Sequence, residues 1–141
     1  MNRAARSLLV GSVAWLASGC ISGRALSGYP GYPFMAFSVP QTADSAFFAL
    51  QTALRDEGYA IDFTDRATGL INTRPGADPA NTVFLSAVIG ATGDGAGSDV
   101  WIAGYERTGG TSRRVSPLDE DLWPDVQSAS ARISRRMGGS P

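Results

Sequence analysis

The chain has no histidine, no lysine and a single cysteine among its 141 residues. Without histidine there is no His-based triad, no histidine general base and no histidine metal ligand. A lone cysteine, Cys20, excludes an internal disulfide. All 12 basic residues are arginine, set against 13 acidic ones, for a net charge of −1. Arg3 and Arg6 belong to the leader described next, so the remainder is more acidic still. A nucleic-acid binder needs a basic surface to displace counterions, so no nucleic-acid partner is expected. No metal site and no cofactor are expected either.

What is present begins with the leader, MNRAARSLLVGSVAWLASGC. Arg3 and Arg6 give it a positive start. Residues 7–17 follow without a charge, and the small residues Ala17, Ser18 and Gly19 lead into Cys20. The apolar stretch is about 11 residues, where a membrane-spanning helix needs roughly 20. A removable export signal over residues 1–19 fits that length.

Leu16-Ala17-Ser18-Gly19-Cys20 resembles the lipobox of bacterial lipoproteins. Ala17 holds the position three before the cysteine, where that family favours leucine. The resemblance implies a diacylglycerol on the Cys20 sulfur, cleavage before Cys20, and a membrane anchor. Each buried methylene adds about 0.8 kcal/mol, and two or more acyl chains hold stably. Ile21, not aspartate, follows the cysteine. By analogy with Gram-negative lipoproteins this implies the periplasmic face of the outer membrane.

Residues 20–33 read as the lipidated cysteine and a tether, rich in Gly, Ser and Pro. About 13 flexible residues reach roughly 20 Å. Tyr29 and Tyr32 lie within this stretch.

A domain is expected over residues 34–137. Residues 34–39 (FMAFSV) predict a first strand, stopped by Pro40. Thr42 suits an N-cap, and Ala43, Phe47, Leu50 and Leu54 form a helical stripe that Gly58 ends. Residues 59–63 alternate, with Tyr59, Ile61 and Phe63 expected on one face. Residues 65–69 (DRATG) are turn chemistry before a strand at 70–74, and 75–79 (PGADP) a loop. Residues 82–89 predict a strand with Val83, Leu85, Ala87 and Ile89 together. Its partner at 100–107 puts Trp101, Ala103 and Tyr105 together. Gly109-Gly110 turns the chain into a short edge segment at 111–115. A last helix is expected from near Asp121, with Leu122, Val126, Ala129, Ile133 and Met137 as its stripe and Pro124 in its first turn. Residues 138–141 are expected to fray.

The order is strand, helix, five strands, helix. It predicts an α+β fold of helix-grip type: an antiparallel meander covered on one face by two helices, in two layers. Residues 47–74 (FFALQTALRDEGYAIDFTDRATGLINTR) carry a helix, a Gly stop, an alternating strand, an Asp-containing turn and a second strand. That pattern resembles the helix-grip domains of BamC-type lipoproteins, lipid-anchored accessory subunits of outer-membrane barrel assembly. That family carries two such domains and a long N-terminal segment; this chain has room for one domain and a short tether. The resemblance implies the fold and an accessory role.

Four groups offer chemistry, and for each the structural explanation is preferred. Residues 90–98 (GATGDGAGS) lack the lysine and following helix of a phosphate loop and suit a hairpin tip. Asp94 and Asp99 are too few oxygens for calcium. Asp119, Glu120, Asp121 and Asp125 surround a helix start, where dipole effects already favour carboxylates. Arg113-Arg114 and Arg132-Arg135-Arg136 suit a solvated face or anionic head groups. Trp101, Tyr105 and Trp123 suit a core before a groove. No serine has a base beside it.

The expected function is therefore that of a membrane-anchored accessory module of the cell envelope, not an enzyme, with a protein partner. That partner would meet the groove between helix and sheet or the edge near 111–115. The alternative is a helix-grip module that holds a small molecule or lipid in an apolar cavity. A hydrolase built on two carboxylates is the least favoured reading.

Overall fold

A computed structural model describes residues 34–74 and 83–140. The expected signal, Cys20, the tether, the 75–79 loop and Pro141 lie outside the described residues. The elements are β1 (Met35–Val39), α1 (Ala43–Asp56), β2 (Ala60–Asp65), β3 (Leu70–Arg74), β4 (Val83–Ala91), β5 (Ser98–Thr108), β6 (Thr111–Arg114) and α2 (Trp123–Arg136). They form an α+β fold, an open antiparallel sheet of six strands with two helices.

Strands β2 to β5 pair in sequence as a meander. The long strand β5 shares its other edge between two partners. β1 takes Ser98 to Ile102, and β6 takes Tyr105 to Thr108. Gly109 (φ 57°) and Gly110 (φ 85°) close the β5–β6 hairpin. Both central positions of such a two-residue turn need positive φ, which glycine adopts without strain.

Both helices have local reasons to start and stop. The Thr42 carbonyl accepts from the Ala46 N–H at 2.8 Å, and its hydroxyl accepts from the Ser45 N–H. At the end of α1, Gly58 donates to the Arg55 carbonyl and Tyr59 to that of Leu54. At the end of α2, Gly138 donates to Arg135 and Gly139 to Ser134 in the same pattern. Each is a Schellman cap, and Gly58 and Gly138 supply the left-handed residue.

One face of the sheet meets the helices. Phe37, Val39, Ile71, Leu85, Ala87, Ile89, Val100 and Ile102 pack on Ala46, Phe47, Leu50, Leu54, Ala129, Ile133 and Met137. Truncating one of the large members, such as Leu50, would cost about 2–5 kcal/mol. A smaller cluster of Val83, Val115 and Val126, with Leu122 and Trp123, closes the other end. Gly104 lets α2 come close there: a Cβ on it would sit 2.3 Å from Val126 Cγ2.

Three expectations need correction. Phe63 does not share a face with Ile61. The pairing shifts between them, so Ile61 lies opposite Thr73 but Phe63 lies opposite Asn72. The bulge spends Asp62 and turns Phe63 out, leaving it 52% exposed. The last helix begins at Trp123, not Asp121, because the Asp119 carbonyl first accepts from Leu122 and Trp123 in a turn. Residues 138–140 do not fray. Gly138 turns the chain back, and Ser140 exchanges two backbone hydrogen bonds of 3.0 Å with Ser38.

Candidate functional site

Several of the residues singled out for chemistry are drawn into structural duties. In the β4–β5 hairpin, the Asp94 carboxylate accepts from the Thr92 hydroxyl at 2.6 Å and from the Ala96 N–H at 3.0 Å. These bonds, the hydroxyl's first, hold the Asp94 pKa below the usual aspartate range. Asp99 instead accepts from the Ser38 hydroxyl at 2.6 Å, across the β1–β5 pair. Asp94 and Asp99 are thus engaged separately. Among the described residues no group of three or more Cys, Asp or Glu side chains is placed to hold a metal ion.

Asp119 is likewise occupied. Its carboxylate accepts from the Ser116 N–H at 2.7 Å and from Arg113 at 2.8 Å. The backbone bond first, and the guanidinium second, lower its pKa. A carboxyl acting as an acid near neutrality needs the opposite shift. Arg113 also pairs with Glu106 across the β5–β6 register, so it braces the 116–119 turn against the sheet. That turn presents Leu118, 90% exposed.

Trp101, Tyr105 and Trp123, for which a core role was preferred to a groove, do not come together. Trp101 and Tyr105 lie on the sheet face turned away from the helices, whereas Trp123 packs with Val83, Val115 and Val126. On that outer face Phe84 stacks on Tyr105 at 5.4 Å, and Arg114 lies 5.7 Å from the Tyr105 ring centre. Val88, opposite Trp101, and Ala103, between Trp101 and Tyr105 on β5, are buried on that face.

The arginines at the end of α2 divide. Arg132 and Arg136 both donate to Glu57, just past α1, and Arg136 also approaches Asp56 at 3.8 Å. Arg135 forms no ion pair among the described residues. It borders a half-open groove of about 270 Å³ between β1 and α2. Met35, Ala36, Phe37 and Ala131 give the groove apolar walls, and Ser130, Ser134 and Gly139 complete it.

Ser130 escaped the sequence reading. It is 2% exposed, and its hydroxyl has no hydrogen-bond partner among the described residues. The other buried hydroxyls are satisfied. Thr73 bridges to the Leu85 backbone, and Ser98 donates to the Gln41 carbonyl. A signal was present in the sequence, because position 130 is four after Val126 and falls inside the α2 stripe.

No protein-family model matches the chain, and no curated protein matches it. Among the described residues no helix is long and apolar enough to cross a membrane.

Proposed function

We propose that the protein is a lipid-anchored module of the cell envelope that works by engaging a partner protein, without catalysis of its own. The observation that carries this reading is Leu16-Ala17-Ser18-Gly19-Cys20 at the end of a short uncharged apolar run. Lipid on Cys20 would hold the domain at the periplasmic face of the outer membrane, within reach of the bilayer. An accessory role like that of BamC-type lipoproteins agrees with the α+β architecture.

The geometry supports binding over chemistry because the candidate carboxylates Asp94, Asp99 and Asp119 each serve a turn or a strand pair. For the partner, β6 is the favoured contact. It sits on the edge of β5, and beside it Leu118 projects from a turn locked by Asp119 and Arg113. An exposed apolar residue on a braced turn gives a partner a preorganised anchor.

The alternative, a ligand held between helices and sheet, asks for a cavity in that layer. Leu50, Leu54, Ile71, Leu85, Ile102 and Ile133 are fully buried in it. Their packing favours the interaction module.

Mass spectrometry of the native protein tests the anchor. The expected result is an N-terminal peptide that begins at acylated Cys20. Recovery of the chain with residues 1–19 attached and a bare thiol would overturn the anchor. Crosslinking in intact cells tests the partner: Leu118→Asp should lose a crosslinked species that the parent protein forms. An unchanged crosslinking pattern would remove that surface from the proposal.

A further inference from the structure

Two features of the β1–α2 groove have no use in holding the fold together. The first is the Ser130 hydroxyl, buried without a partner among the described residues. A buried hydroxyl left unsatisfied costs the fold free energy, so each such group calls for an explanation. The second is Arg135. Its neighbours on α2, Arg132 and Arg136, are spent on Glu57, whereas Arg135 borders the groove without an ion pair among the described residues.

The two features suit one ligand. A side chain on a helix leans back over the turn N-terminal to its own Cα. An arginine at 135 therefore reaches toward the level of Ala131, beside Ser130. Arg135 and Ser130 thus bring a cation and a hydroxyl to the lining of one trough, whose apolar walls are Met35, Ala36, Phe37 and Ala131. A carboxylate accepts from both donor types. The remaining wall is apolar and asks for a hydrocarbon. About 270 Å³ is small for a ligand pocket, which limits the hydrocarbon to a short chain.

We propose that this groove is a binding site for small amphiphilic carboxylates, with the head group on Ser130 and Arg135 and a short alkyl chain along Met35 and Phe37. The site is separate from the partner surface at β6 and does not rest on the lipid anchor.

The experiment uses the full chain carrying Cys20→Ser, with decanoate as the probe and decanol as its uncharged counterpart. NMR titration below the micelle concentration should give saturable shifts centred on residues 35–37 and 130–135. Decanoate should bind about three- to fivefold more tightly than decanol, the worth of a part-exposed ion pair. Arg135→Gln should erase that preference and leave decanol binding unchanged. Ser130→Ala should weaken decanoate without lowering the melting temperature. Ala131→Trp, at an exposed helix position that borders the groove, should abolish binding of both. Absence of saturable decanoate shifts in the Cys20→Ser chain would overturn the proposal. So would equal affinity for the two probes, or decanoate binding that survives Ala131→Trp in a variant that melts like its parent.

Discussion

The Glu57 carboxylate, at the end of α1, accepts a hydrogen bond of 2.7 Å from Arg136 on α2. Arg132, one turn earlier, donates to its other oxygen. The two guanidiniums cover the carboxylate so fully that its side chain is 8% exposed, although it lies at the surface of the molecule. This clamp ties together the ends of two helices that otherwise meet through the core.

The clamp predicts an acid-sensitive share of stability. The bond from Arg132, then that from Arg136, holds the Glu57 pKa below the usual glutamate value. A carboxyl whose pKa is lower folded than unfolded stabilises the fold above its unfolded pKa, about 4.3. The contribution disappears as pH falls through the folded value. Glu57→Gln should therefore be less stable than the parent at pH 7, by about 0.5–1 kcal/mol for a screened pair. The two should converge once pH falls below the folded value of Glu57. Urea melts across that range measure the difference; parallel curves would mean that the clamp contributes nothing.

A second prediction concerns how α2 is seated. A methyl group at Gly104 would meet Val126 Cγ2 at 2.3 Å. Gly104→Ala should cost about 1–3 kcal/mol by overpacking. Val126→Ala should be damaging by itself, since Val126 is fully buried, yet partly restorative when combined with Gly104→Ala. Contacting residues couple in this way, by about 0.5–3 kcal/mol. Additive losses in a double-mutant cycle would show that the helix shifts to accept the methyl group.

The fold was legible where periodicity is unbroken. The stripe Phe47, Leu50, Leu54 with its stop at Gly58, and the stripe Val126, Ala129, Ile133, locate both helices. Alternation failed at Phe63, because a bulge inserts one residue and reverses every later side chain. No local property of Ile-Asp-Phe marks that insertion; it is decided by pairing with β3. The groove was illegible for a related reason. Its walls come from residues 35–37 and 130–135, far apart in the chain and brought together where α2 packs on β1. Of its polar members, Arg135 stood out as part of a basic group, while Ser130 was marked only by its place within the α2 stripe.

The bulge has its own test. Ile61 packs on the core beside Tyr59, whereas Phe63 is 52% exposed on the opposite face. Ile61→Ser should destabilise by about 1–3 kcal/mol, and Phe63→Ser by less than about 0.5 kcal/mol. Equal losses in urea melts would return Phe63 to the core face.

The return of the chain at its end gives the last prediction. Ser38, on β1, donates its N–H to the Ser140 carbonyl and accepts from the Ser140 N–H. Gly139 lies so close to β1 that a Cβ on it would sit 2.9 Å from Phe37 Cδ2 and 2.6 Å from Ser134 Oγ. Residues 138–140 therefore act as a short strap along an edge strand that would otherwise present unpaired backbone groups. Ending the chain after Met137 should cost about 1–2 kcal/mol for the two hydrogen bonds and the cover on Phe37. The sharper readout is hydrogen exchange at the Ser38 amide, protected in the full chain and fast in the shortened one. If that amide already exchanges rapidly in the full chain, the strap is not closed in solution. The groove beside it would then be wider, and the decanoate site would have lost the wall that Gly139 supplies.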